Sequence, residues 1–198
     1  TFESEDIALI ELFGQLVGAS IGNIRLFEKM QRQATTDGLT GLMNHRTFYE
    51  ALERELWRAR RHGGTIALIM ADVDNLKQIN DVYGHRAGDK AIIEISHRIR
   101  ECIRQIDLAA RYGGEEFAII LPSTGLDAAL IVCERIVETV ARSPILWQRQ
   151  QVPLSISVGV GEYGADTNPE DITSRSDQAL YMAKHSGKNT VRAFAPVL

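Results

Sequence analysis

The chain has 198 residues, 44% of them apolar and 24% charged, with a formal net charge of −4. That is enough apolar material for one domain with a full core plus an appendage. The acidic balance argues against a nucleic-acid polymer as partner, which would show as a basic excess. No apolar run nears the roughly 18 residues of a membrane span, and no signal peptide is evident. Cys102 and Cys133 lie far apart outside any CxxC pattern, so both read as buried small apolar residues, and low cysteine use fits a reducing compartment. The expectation is a fragment of a longer protein, cytoplasmic and without direct membrane contact.

Residues 1–35 read as an appendage. Ile10, Phe13, Val17, Ser20, Ile24 and Phe27 form a seam with spacings of three and four, as in a two-stranded coiled coil. A dimerising signalling helix is favoured over a core helix. Asp37-Gly-Leu-Thr-Gly41 breaks the pattern and opens a second region, 36–198. Asn44 or Thr47 is placed to cap a helix to about Arg61, with Phe48, Ala51, Leu52, Leu56 and Ala59 inward and Gly63-Gly64 at its end.

Thr65–Ala71 is almost wholly apolar and reads as a central strand covered on both faces. It runs into Asp72-Val73-Asp74. Acids two apart at a strand end are expected to share one face, where a bound cation would offset their cost; one of them could instead cap the next helix. A short helix carrying Lys77 and Asn80 follows, then a loop over 83–89 and an amphipathic helix from Asp89 to Arg104. Residues 107–112 and 117–121 read as strands joined by Gly113-Gly114 as a hairpin, with Glu115 and Glu116 on opposite faces unless a bulge re-aims one. A helix over 126–142 and an alternating strand over 152–163 come next. Ser155, Ser157 and Gly159 line one face of that strand, leaving room for something to lie close. A last helix from Asn168-Pro169-Glu170 carries Lys184 and Lys188, and a final strand spans 190–194. The fold class is α/β, a mixed central sheet flanked by helices.

Taken together, these segments resemble the GGDEF family of diguanylate cyclases. Gly113-Gly-Glu-Glu-Phe117 matches its signature hairpin, and Asp37-Gly-Leu-Thr-Gly-Leu-Met-Asn44 its opening motif, with His45 in place of an Arg. Asp72-Val-Asp74, Lys77, Asn80-Asp81, Gly84-His85 and Gly88-Asp89 match its metal and guanine motif, with Leu76 where Phe is commoner. Ala183-Lys184 and Gly187-Lys188-Asn189 match its last motif. The resemblance covers about residues 36–194 and implies the palm-like fold shared with adenylyl cyclases. Residues 1–35 look like the end of a helix linking a GAF-type sensor to such a domain.

What the resemblance implies is condensation of two GTP into cyclic di-GMP and two pyrophosphates across a homodimer paired through the N-terminal helix. Asp72, the Val73 carbonyl, Glu115 and Glu116 would hold a pair of Mg²⁺ ions, or Mn²⁺. Family assignments favour Glu115 as catalytic. Lys77, Lys184 and Lys188 would neutralise phosphate, and Arg111 would stabilise charge or merely orient the turn. Asn75, Leu76, Gly113 and Gly114 would line the substrate site. Asn80 and Asp89 would read guanine, with His85 beside the nucleotide. Arg104 and Asp107 match the family's RxxD product-inhibition site, with Arg135 as a second arginine; a surface ion pair is the plainer reading of Arg104 and Asp107. A catalytically inactive nucleotide receptor and a cyclase of the adenylyl type are the competing functions.

Overall fold

Asn44 starts the first long helix of the structure: its side-chain oxygen accepts from the Thr47 N–H at 2.9 Å, and α1 runs His45–His62. Gly63, at φ 68, ends it by donating back to the Ala59 carbonyl. The computed structural model describes residues 17, 18, 20–22, 34–164 and 168–194. Residues 17, 18 and 20–22 are helical and exposed; most of the expected 1–35 helix lies outside the described residues. The chain divides into two compact units, Thr1–Thr36 and Asp37–Leu198.

After α1 come β1 (Ile66–Val73), α2 (Leu76–Tyr83), α3 (His85–Cys102), β2 (Leu108–Arg111), β3 (Glu116–Pro122), α4 (Leu126–Ala141), β4 (Ile145–Trp147), β5 (Gln150–Val152), β6 (Ile156–Glu162), α5 (Pro169–His185) and β7 (Val191–Ala193). Five strands form one sheet in the order β2-β3-β1-β6-β7. Its pairings are antiparallel, except β6 with β7, which is parallel, so the sheet is mixed. β1 is buried along its whole length. Its period-two pattern feeds two cores. Ala67, Ile69, Ala71 and Val73 pack with Phe117, Ile119, Val158 and with the apolar stripes of α3 and α4. Leu68 and Met70 pack with Ala118, Ile120 and the inner faces of α1 and α5. Both cysteines are free and buried.

The structure corrects four expectations. The 83–89 loop is mostly helix: α3 begins at His85, and the turn narrows to Gly84 at φ 86. The 152–163 strand is two strands, and the first pairs with β4 in a separate hairpin. Lys188 lies beyond α5, in a left-handed turn at φ 61. Finally, what lies close to the Ser- and Gly-lined face of β6 is a helix. A Cβ on Gly159 would stand 2.1 Å from the Leu180 nitrogen and 2.3 Å from the Ser176 carbonyl oxygen of α5. Ser176 Oγ seals the contact by donating to the Leu68 and Ile172 carbonyls, each at 2.9 Å.

Candidate active site

β1 delivers Asp72 to the centre of the sheet's end, between Glu116 of β3 and Ser157 of β6 in register. The residue is 4% exposed. Burial raises its carboxyl to about 6; the Lys184 ammonium, bonded at 2.6 Å, opposes this, and the charges of Glu115 and Glu116 push it higher again. Asp74 does not share that position. The strand ends at Val73, and Asp74 turns inward to accept from Ser157 Oγ at 2.6 Å and from the Asn189 N–H at 2.9 Å. Nor does either acid cap α2: Asn75 occupies that place at φ 57 with no side-chain cap bond. Asp74 is therefore a strut that ties the end of β1 to the turn after α5.

The hairpin supplies the other carboxylates. Neither Gly113 nor Gly114 sits in the left-handed region, and only Gly113 is needed for space. A Cβ on Gly113 would fall 2.3 Å from a Glu116 carboxylate oxygen, whereas a Cβ on Gly114 would meet nothing within 4 Å. Glu116 shares the Asp72 face and lies toward α5. There Asp177, which sequence reasoning missed, is raised by its own burial and then by the Glu116 charge. Glu115 accepts from the Val73 N–H at 3.1 Å through its carbonyl, and its carboxylate also pushes the Asp72 pKa upward. Arg111 orients the turn: its guanidinium donates to the Gly114 carbonyl at 2.6 Å and to Asp37 at 3.2 Å. Asp37 is itself the hub of the opening turn, accepting from the Thr40 N–H at 2.9 Å and the Thr40 hydroxyl at 2.7 Å.

Between hairpin and α2 lies a cavity of about 430 Å³ lined by Asp72, Val73, Asp74, Asn75, Leu76, Lys77, Gln78, Asp81, Glu115, Lys184 and Lys188. Lys188 Nζ donates to the Asn75 side-chain oxygen at 2.6 Å across its rim, so the left-handed backbone at both residues serves one contact. Gln78 was not foreseen, and Asp81 was named only as part of a motif; both line the cavity from α2. Three lysines beside a helix N-terminus suit phosphate. Asn80, on α2, and His85 and Asp89, in the first turns of α3, are not among the residues that line the cavity; Gly88 of α3 packs on the Asn80 amide. Among the described residues no three acidic, His or Cys side chains could hold a metal by themselves. A hard cation fits all the same, because the Asp72 carboxylate is short of positive charge and ligand oxygens complete such a shell.

Arg104 and Asp107 follow the C-terminal end of α3, and Arg135 of α4 reaches that same end. Asp107 is buried and accepts from the backbone N–H of Arg104 at 2.7 Å, not the surface ion pair of the plainer reading, while its other oxygen is buried without a partner. Arg135 donates to the Cys102 carbonyl. A separate cavity of about 330 Å³ at the start of β1 holds Glu55 paired with Arg58 and has no cluster of acids.

The family model described as diguanylate cyclase, GGDEF domain, matches residues 34–190. Diguanylate cyclase DgcP of Pseudomonas aeruginosa is 39% identical over 162 residues, 82% of this chain and 24% of that protein. Diguanylate cyclase A of Treponema denticola is 37% identical over 187 residues, 92% of this chain and 49% of the relative. The chain thus spans half or less of these relatives. The solved coiled coil and GGDEF domain of DgcB from Caulobacter crescentus, in complex with c-di-GMP, matches with a TM-score of 0.83 at 32% identity, covering 92% of this chain and 98% of that one. With the mixed sheet, the buried strand-end acid and the glutamate hairpin all in place, the chain belongs to the diguanylate cyclase GGDEF-domain family.

Proposed function

We propose that the chain condenses two GTP into cyclic di-GMP and two pyrophosphates. The observation that carries this reading is Asp72, buried between Lys184 and the hairpin glutamates on the wall of a lysine-rimmed cavity. In each half-reaction a ribose 3′ oxygen bonds to the α-phosphorus of the other GTP. The α–β phosphoanhydride bond breaks, pyrophosphate leaves, and the 3′ proton is lost. Asp72, the Val73 carbonyl and a hairpin glutamate would hold Mg²⁺ or Mn²⁺, which when bound supplies Lewis acidity at phosphate and lowers the pKa of the attacking hydroxyl. Lys77, Lys184 and Lys188 orient and neutralise the triphosphate. Asp89 accepts from the guanine N1–H edge, a pattern adenine lacks.

One chain presents one GTP, so two copies face each other. Exposed Val17 and Ile21, one helical turn apart, support pairing through the N-terminal helix. The DgcB relative holds c-di-GMP; here Arg104, Asp107 and Arg135 form the site where product would bind and inhibit. No described helix is long and apolar enough to cross a membrane, and the domain works in the cytoplasm. The test is incubation with GTP and Mg²⁺ across protein concentration, with products resolved by mass. Cyclic di-GMP forming faster than linearly with protein is expected. Bound GTP with no product would overturn the enzyme reading in favour of a receptor.

A further inference from the structure

Asn80 on α2 has a buried side-chain oxygen without a hydrogen-bond partner. The same oxygen lies where a side chain at position 88 would begin: a Cβ on Gly88 would stand 1.9 Å from it, 2.9 Å from the Asn80 amide carbon and 3.4 Å from the amide nitrogen. Gly88 is buried inside α3 and not in the left-handed region. A glycine there weakens the helix and serves no turn, so its use is the space it leaves.

We propose that Gly88 is the positioning residue for base recognition: its missing side chain forms the seat of the Asn80 carboxamide. The seated oxygen rests against the α3 backbone, and the amide nitrogen is left as a donor for the guanine O6, where adenine carries an amino group and offers no acceptor. With Ala at 88 the amide must rotate away. The atoms it would strike are the end of a flexible side chain rather than backbone, so the fold survives while the donor is misplaced. The proposal rests on the GTP reading and deepens it. It makes base discrimination depend on a residue that touches no ligand.

The test measures binding of 3′-deoxy-GTP and 3′-deoxy-ATP, which lack the attacking hydroxyl, to wild type, Gly88→Ala, Asn80→Ala and the double variant. Thermal unfolding is followed in parallel. The wild type is expected to prefer the guanine analogue. Gly88→Ala should lose on the order of tenfold of that preference, as for one misplaced hydrogen bond, with its melting temperature held. In the Asn80→Ala background, where nothing needs seating, Gly88→Ala should cost no further preference. A Gly88→Ala protein that keeps the preference, weakens both analogues equally, or loses as much again without Asn80 overturns the proposal. A wild type that binds neither analogue, or both alike, overturns the GTP reading itself.

Discussion

Arg111 was open to two readings, charge stabilisation or orientation of the turn, and its guanidinium is committed to Asp37 and the Gly114 carbonyl. It holds the domain's opening turn against the hairpin turn. Burial alone would raise the Asp37 carboxyl; the Thr40 bonds and the Arg111 charge outweigh it and hold it below the ordinary 3.8. The native state then binds fewer protons at Asp37 than the unfolded chain does. The stabilisation is complete above pH 3.8 and is lost as pH falls through the lower native value. Asp37→Asn, which keeps an accepting oxygen but loses the charge facing Arg111, is expected to cost on the order of 1 kcal/mol at neutral pH. In thermal melts across pH, the gap to wild type should close on acidification; a gap independent of pH would show that the pair's charge is unimportant. Asp72→Asn acts on chemistry instead. Cyclic di-GMP formation should fall on the order of 100-fold or more, while the metal-free protein keeps or raises its melting temperature because a buried charge is gone.

At the scale of elements, Gly159 fixes where Lys184 can be. Because a Cβ there would strike backbone atoms of α5, Gly159→Ala should displace the helix and cost roughly 3 kcal/mol in urea denaturation. A loss under about 0.5 kcal/mol would mean that the helix has slack. This contact also shows what the sequence could and could not convey. The small-residue face of β6 was legible, but its occupant was not, because a helix and a ligand ask the same thing of a strand. Asn44 and Gly63 bounded α1 correctly since caps are local chemistry. The β4–β5 hairpin was hidden because its turn residues, Gln148 and Arg149, adopt φ 46 and 68 without a glycine to announce them. The start of α3 was hidden for the converse reason: Gly88 reads as a loop signal, though its cause is the Asn80 side chain on the neighbouring helix. At the site, Asp72, Lys77, Glu115, Lys184 and Lys188 were all legible and do line one cavity. The divergence of Asp74 from Asp72 was not, since period two holds only while the strand lasts.

The whole molecule is proposed to work as a pair, and its regulation belongs at that scale. Removing residues 1–35 should lower cyclic di-GMP formation at low protein concentration and be rescued as concentration rises, since linkage only raises the local concentration of the partner. Equal rates at low concentration would detach the helix from catalysis. Arg104→Ala should leave the initial rate intact and relieve inhibition by added cyclic di-GMP; inhibition as strong as in wild type would remove Arg104 from the product site. One feature of the fold limits how such signals can act. Ser176 bonds the Leu68 carbonyl of the central strand, and Gly159 lets α5 lie directly on its neighbour. Strand and helix therefore form one cooperative opening unit. Their amide protons should trade for deuterium together, only on global unfolding, whereas those of Gly114 and Glu115 at the hairpin tip should trade sooner. Domains so built can be brought together or held apart, but the floor beneath Asp72 does not bend.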